Sequence, residues 1–443
     1  MLSFIGLLAG LGLLIFFAIR GMHLLIAAPL SALVIALTGG LPLFDQLAAE
    51  GQATYVGTFM DGFTSFFRSW FFMFLLGAIF GKAMENSHAA ESIAHWIISH
   101  IGVKHAALAV VAACAILTYG GVSVFIVAFC VYSMALSLFR EANLPRRFLP
   151  GVIAFGSVTF TMTSAGSPEI QNWIPIPYLD TTPYAGWEVS IIVAVFMAGL
   201  GYFWMQRMLR RAIANGERFE ERATDVPDVE HQGLPHPLLC ALPLLAVLGV
   251  VFFSHEALGT AALIVALASG LVLTYLFNYR YFNDHGRPFS EGATGALIAT
   301  ANTCAVVGFG TVAKATPAFT DVVQYITSIP GGGLVGAAIA VSIICALTGS
   351  ASGGQTIALP LLAPLYVGPD VAPENSVEPD ALHRVVSIAS GGLDSLPHNG
   401  YVVTLIRAIC GESHQDAYGP LARLTVVIPF LGVILALACF ALL

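Results

Sequence analysis

Long apolar runs dominate the chain, and polar residues fall almost wholly between them. About 20 consecutive apolar residues cross the hydrocarbon core of a bilayer. On that measure the first half holds full spans at 2–19, 22–39, 57–81, 148–175 and 187–206. The second half holds them at 237–254, 257–278, 291–313, 382–410 and 420–443. Segments 148–175 and 382–410 are interrupted by helix-breaking residues. Between the third and fourth span of each half lies a pair of shorter apolar arms, 105–138 and 330–367. As helix, the arm 106–118 reaches only about 20 Å, short of the ~30 Å core. Both pairs are expected to be re-entrant hairpins, although the arm 122–139 is long enough to span alone.

The interruptions recur at matched places. Leu117-Thr118-Tyr119-Gly120-Gly121-Val122-Ser123 corresponds to Leu347-Thr348-Gly349-Ser350-Ala351-Ser352-Gly353-Gly354. Thr163-Ser164-Ala165-Gly166-Ser167-Pro168 corresponds to Ser390-Gly391-Gly392-Leu393-Asp394-Ser395-Leu396-Pro397-His398-Asn399. Thr118 to Thr348, Ser164 to Ser390 and Lys82 to Lys314 share nearly one offset. Unwound backbone at membrane depth costs several kcal/mol per unsatisfied group unless it faces protein, a cavity or a ligand. Matched breaks in two halves therefore point to a transporter's binding site.

Charge orients this pattern, because Lys and Arg collect on cytoplasmic loops. Arg207, Arg210, Arg211, Arg218 and Arg222 lie in 206–236; Arg140, Arg146 and Arg147 in 139–148; Arg280 and Arg287 in 279–290. Loop 368–381 instead carries Asp370, Glu374, Glu378 and Asp380 without Lys or Arg. An outside N-terminus satisfies all four loops. With five spans per half, the second half then starts on the opposite side from the first. The expected fold class is an all-α polytopic membrane protein of two inverted repeats, each with five spanning helices and a re-entrant hairpin. Its divisions would be 1–103 and 237–327 as scaffold, 104–206 and 328–443 as transport parts with hairpin and broken helix, and 207–236 as a cytoplasmic linker. Segment 83–103, with Ile93, Trp96, Ile97 and Ile101 at helical spacing, reads as an interfacial helix. The first run lacks a basic leader, so it reads as a retained span and not a signal peptide.

Composition agrees: 57% of the 443 residues are hydrophobic and 10% charged, with mean hydropathy +0.83, whereas soluble domains carry about 25% charge. A net charge of −8 with no basic patch excludes a nucleic-acid partner. Seven cysteines stand singly, without a CxxC, so neither a disulfide framework nor a zinc site is expected. No metal or organic cofactor is expected either; the irregular series His88, His95, His100 and His105 lies on the interfacial segment.

The candidate substrate-binding residues are Thr118, Tyr119, Gly120, Gly121 and Ser123 at the first tip, and Ser164, Gly166 and Ser167 at the first break. The second half adds Thr348, Gly349, Ser350, Ser352, Gly353 and Gly354 at its tip, and Ser390, Gly391, Gly392, Ser395, His398 and Asn399 at its break. Glycine lets backbone approach a ligand, and half-helix N-termini aim N–H groups at a carboxylate. Close helix packing through small residues is the competing reading of any one tip. Asp394, His398 and Glu169 are ionisable groups in apolar context, which default to functional hypotheses. They are the coupling candidates, because buried carboxyls and histidines can titrate near neutral pH. For Asp394 the plainer alternative is a helix N-cap. A Ser395–His398–Asp394 triad is rejected, since three such residues within one turn lack triad geometry and a nucleophile elbow. Lys82 and Lys314 at span ends read as snorkelling cations.

The run Ser390 to Gly400, followed by Val402-Val403-Thr404-Leu405, closely resembles the C-terminal signature of the gluconate permease (GntP) family. The texture is most similar to its branch of D-β-hydroxybutyrate or short hydroxy-acid permeases, and the resemblance extends over the other three interruptions. It implies a multi-pass protein of the bacterial inner membrane that carries a small organic anion with protons. Through the wider ion transporter superfamily it further implies a homodimer in the lipid bilayer and an elevator-type moving domain. Sodium coupling and a passive organic-anion channel remain alternatives. An enzyme is not expected, because no HExxH, GxSxG or metal-spaced cysteines occur.

Overall fold

The computed structural model describes residues 2–20, 22–222, 233–319, 321, 333–367, 371, 376–397 and 399–442. Among them every regular element is helical and no strand occurs. The first half runs α1 (Leu2–Ile19), α2 (Leu24–Gly39), α3 (Tyr55–Asn86), α4 (Ala89–Ile101), α5 (Ala106–Tyr119), α6 (Val124–Glu141), α7 (Leu149–Ala154), α8 (Ile176–Leu179) and α9 (Trp187–Ala214). The second half runs α10 (Pro237–Leu258), α11 (Ala261–Asn278), α12 (Arg287–Lys314), α13 (Gly333–Thr348), α14 (Ala351–Tyr366), α15 (Pro379–Ser390), α16 (Gly400–Val403), α17 (His414–Ala422) and α18 (Ile428–Leu442).

Among the described residues, six helices are long and apolar enough to cross a membrane unaided: α3, α9, α10, α11, α12 and the continuous segment His414–Leu442. Counting Val124–Glu141, bent by 46°, as one span makes seven. Fewer helices cross unaided than the ten expected spans, two of which were expected to be broken. The remaining expected spans are either shorter apolar helices at the N-terminus or the two interrupted segments. Those segments break because Gly, Ser, Pro and Asn stand where a helix needs its interior: α7 passes into a π turn at Phe155–Thr159, and α16 into another at Thr404–Ile409. Single π turns of this kind often mark functional positions. The arms α5–α6 and α13–α14 form two helix–turn–helix units, as the short apolar runs require.

Glycines set one close helix contact. A Cβ on Gly292 would stand 2.7 Å from the Ile79 Cα, and one on Gly308 2.8 Å from the Phe59 carbonyl oxygen. α3 and α12 therefore pack backbone to backbone, the usual route to helix association in lipid, where no hydrophobic drive exists. Leu11, Leu14, Ala28 and Ile35 of α1 and α2 join Phe309 and Val312 of α12 in one apolar cluster. A second, larger cluster runs through the helix–turn–helix arms, the interrupted segments, α9 and α18.

The polar segments are tied down by charge. Lys82 does not simply extend to water: it pairs with Glu85 at 2.8 Å and Glu291 at 3.6 Å. Helix α4 buries Ile93 and Ile97 but leaves Trp96 exposed, its ring 4.4 Å from that of His100. The start of the expected linker lies against two other loops. Arg147 grips Glu217 with two hydrogen bonds of 2.6 and 2.8 Å. Glu412 receives Arg146 at 3.2 Å and Arg222 at 2.9 Å. Further along, the Ser92 hydroxyl donates to the Pro235 carbonyl at 2.6 Å.

Three stability outcomes follow. Gly292→Val forces a side chain into the Ile79 backbone, which should cost about 1–3 kcal/mol and lower the melting temperature of the detergent-solubilised protein. Arg146 and Glu412 are nearly fully buried, so Glu412→Gln should destabilise by about 3–5 kcal/mol, as removal of one buried partner does; an unchanged melting temperature would contradict this. Arg147 holds the Glu217 carboxyl below the usual carboxylate range. Its stabilisation is therefore full above that range and is lost as pH falls through the lowered folded value. Both groups are about one-third exposed, which limits the effect to about 1 kcal/mol. Glu217→Gln should lower stability by that amount at neutral pH and leave it nearly unchanged at acid pH, below the lowered folded value, so that the melting-temperature profile flattens.

Candidate functional site

The first tip turns at Gly120 and Gly121, the latter at φ +94°, a conformation that favours glycine. The turn brings Tyr119 onto the first break, where its hydroxyl donates to the Ala165 carbonyl at 2.7 Å. Gly166 sits at φ +76°, and a Cβ there would meet the Tyr184 ring at 2.7 Å and the Tyr119 hydroxyl at 3.2 Å. Much of this break is satisfied from within. Gly166 N–H donates to Pro183 O at 2.9 Å, Ser167 N–H to Ser164 O at 3.1 Å, and the Ser164 hydroxyl to Phe160 O at 2.6 Å. Ala165 N–H reaches the Ser190 hydroxyl of α9 at 2.8 Å. Asn172 and Trp173 both donate side-chain N–H groups to Ser167 O. The backbone donors of Gly166 and Ser167, expected to face an anion, are thus engaged by protein in this conformation.

The second tip is organised differently. Ser350 caps α14, its hydroxyl accepting from Gly353 N–H at 3.1 Å, and lies 3.4 Å from the Ser352 hydroxyl. Gly354 lets the two arms touch, since a Cβ there would stand 2.8 Å from the Cys345 Cα. Asn399 Nδ2 donates to Gly349 O at 3.0 Å, while its Oδ1 accepts from Val402 N–H at 3.0 Å and caps the helix resuming at Gly400. Asp394 is buried and accepts from the Ser395 hydroxyl at 3.0 Å. The backbone amides of Ser395 and Ala351 also turn toward its carboxylate. Asp394 therefore faces the N-terminus of α14, the half-helix end expected to attract an anion.

The two halves meet between these clusters. Gln355 of α14 donates through Nε2 to Ser390 Oγ at 2.9 Å and to Gln171 O at 3.0 Å. The Ser387 hydroxyl reaches the same Gln171 carbonyl at 3.3 Å. A Cβ on Gly391 would lie 2.9 Å from the Thr163 methyl. Gln171 Oε1, Asn172 Oδ1 and Gln355 Oε1 are buried without a hydrogen-bond partner among the described residues. Glu169 is half-buried, and its carboxylate pairs with no cation among the described residues.

Other candidates stand apart. Among the described residues, the buried Thr118 hydroxyl finds no partner, Ser123 precedes α6 without a side-chain cap bond, and Gly392 packs loosely near Pro429. His398 and the side chain of Thr348 lie outside the described residues. A cavity of about 540 Å³ adjoins Tyr119, Gly120, Ser164 and Ala165, with Leu244 and Leu245 of α10 on its far wall. Its surface is almost wholly apolar, which does not suit an anion.

Two buried residues escaped the sequence reading. His383 Nδ1 lies 2.7 Å from the Thr181 hydroxyl, and Arg384 donates to carbonyls of the first break. Both sit inside the interrupted segment 382–410, so the rule that singled out Asp394, an ionisable group within an apolar run, would have found them too.

A match to the description "GntP family permease" covers residues 2–168. The chain is also 35% identical over 463 residues to an uncharacterized transporter, YxjC, of Bacillus subtilis (strain 168), with 95% of each chain covered. Together with the membrane-spanning helices, these similarities make the protein a multi-pass membrane transporter and not an enzyme, and the chain belongs to the GntP family of permeases.

Proposed function

We propose that the protein is a secondary active symporter of small organic monocarboxylates bearing a hydroxyl, such as 3-hydroxybutyrate or gluconate, coupled to protons. The observation that carries this reading is Asp394 at the N-terminus of α14. An ionised Asp394 competes with a substrate carboxylate for the same amides. A protonated Asp394 gives them up, so proton and anion bind together. His398 and Glu169 are the further coupling candidates. Hydroxyls and amides, with no arginine at the tips, suit one carboxylate better than two, since bidentate recognition of additional carboxylates favours Arg.

In this reading the halves are inverted repeats with both chain termini outside, in a bacterial inner membrane. Residues 104–206 and 328–443 move as an elevator against a scaffold of 1–103 and 237–327, within a homodimer. The glycine-mediated contact of α3 with α12 supports a rigid scaffold. Sodium coupling is the second reading. It is favoured by the three buried amide oxygens of Gln171, Asn172 and Gln355, which are acceptors suited to a hard cation.

Uptake by purified protein in liposomes tests the proposal. An imposed pH gradient in sodium-free buffer should drive accumulation of 3-hydroxybutyrate or gluconate; uptake that requires sodium and ignores the pH gradient selects the second reading. Uptake of citrate or succinate, but of no hydroxy monocarboxylate, would overturn the substrate class. Asp394→Asn should reduce proton-driven accumulation by about tenfold or more while preserving substrate exchange under counterflow. A cross-link locking α3 to α12 should leave transport intact, and abolished transport would replace the elevator with a rocking motion.

A further inference from the structure

Arg384 is fully buried. Its guanidinium donates from Nε to Ala185 O at 2.9 Å, from Nη1 to Thr163 O at 2.7 Å and from Nη2 to Pro183 O at 3.4 Å. These carbonyls stand at the two ends of the irregular stretch 163–186, so one side chain of the second half closes a loop of the first. The fit is tight. Gly186 has φ +56°, and a Cβ there would lie 3.0 Å from the Arg384 Cβ and 3.2 Å from the Asp380 carbonyl. Among the described residues no carboxylate forms an ion pair with Arg384, and Asp380, one turn earlier, is exposed.

A buried cation held mainly by carbonyl dipoles, without a paired carboxylate, is costly to keep in a membrane. Purely structural demands would be met by a neutral donor such as Gln or Asn, as Asn399 meets them at Gly349. Arg384 supplies two things that an amide does not. Its planar fork reaches three carbonyls from one fixed position, and among the described residues its charge is faced by no ion-pair partner, only at longer range by the exposed Asp380. The stretch it closes carries Ser164, Gly166, Ser167 and Glu169, and the Thr163 methyl also touches Gly391 of the other break. The charge therefore lies behind the place where both breaks meet.

We propose that Arg384 is a positioning residue for transport: its fork sets the shape of loop 163–186, and its charge is the fixed counterpart of the bound organic anion. This rests on the organic-anion reading above. The anion need not touch the guanidinium, because a unit charge acts over several ångströms in a medium of effective permittivity ~20.

Two variants of the full-length protein in lipid separate fork from charge. Arg384→Lys keeps the charge and loses the fork; Arg384→Gln keeps a donor and loses the charge. Hydrogen–deuterium exchange over 163–186 should be roughly tenfold faster in both. In counterflow with 3-hydroxybutyrate, Arg384→Gln should raise KM by about tenfold or more. Arg384→Lys should keep KM within about threefold while lowering the maximal rate. A purely structural residue would lower the maximal rate in both and leave KM alike, and that result overturns the charge role. Wild-type exchange protection in Arg384→Lys overturns the positioning role, even if Arg384→Gln fails to fold. Absence of 3-hydroxybutyrate uptake by the wild type counts against the substrate reading alone, and the exchange measurement still decides the role of the fork.

Discussion

Backbone that leaves the helix inside a membrane must find partners for its N–H and C=O groups within the protein, because lipid offers none. Most of the candidate site is a response to that demand. The first break turns its carbonyls to Tyr119, Arg384, Asn172 and Trp173. The second half uses Asn399 on Gly349, and Gln355 across to Gln171. Tyr119, Arg384, Asn399 and Gln355 come from different elements, so unwinding two short stretches obliges the helix–turn–helix units and interrupted segments to pack together.

This arrangement makes the two halves interdependent. Gln355, Ser387 and Arg384 all belong to the second half, and all donate to first-half carbonyls. A displacement of one break is resisted by the other through short, directional bonds. The buried oxygens left over on Gln171, Asn172 and Gln355 are where that accounting stays open. Such leftover buried acceptors are suited to water, a cation or a substrate hydroxyl.

Elsewhere the constraint is shape. α3 and α12 approach through Gly62, Gly292 and Gly308, where any larger residue would separate the backbones. The outer loops rely on charge instead, with Glu412 between Arg146 and Arg222, and Glu217 held by Arg147. The chain thus uses polar bonds at its breaks, close apposition along its long helices, and ion pairs at its loops.

Sequence alone determined where the chain is helical and where it breaks, because apolar run length and Gly/Ser/Pro clusters are local properties. The arms at 106–119 and 351–366, the interruptions near Ser164 and Asp394, and the polar stretch after α9 were all legible. The partner of each break was not. Tyr119 with Ala165, Gln355 with Gln171 and Asn399 with Gly349 join residues 46 to 184 positions apart. Arg384 shows the difference most plainly. Its burial needs the carbonyls of residues 163, 183 and 185, and only the folded chain brings those oxygens to one guanidinium.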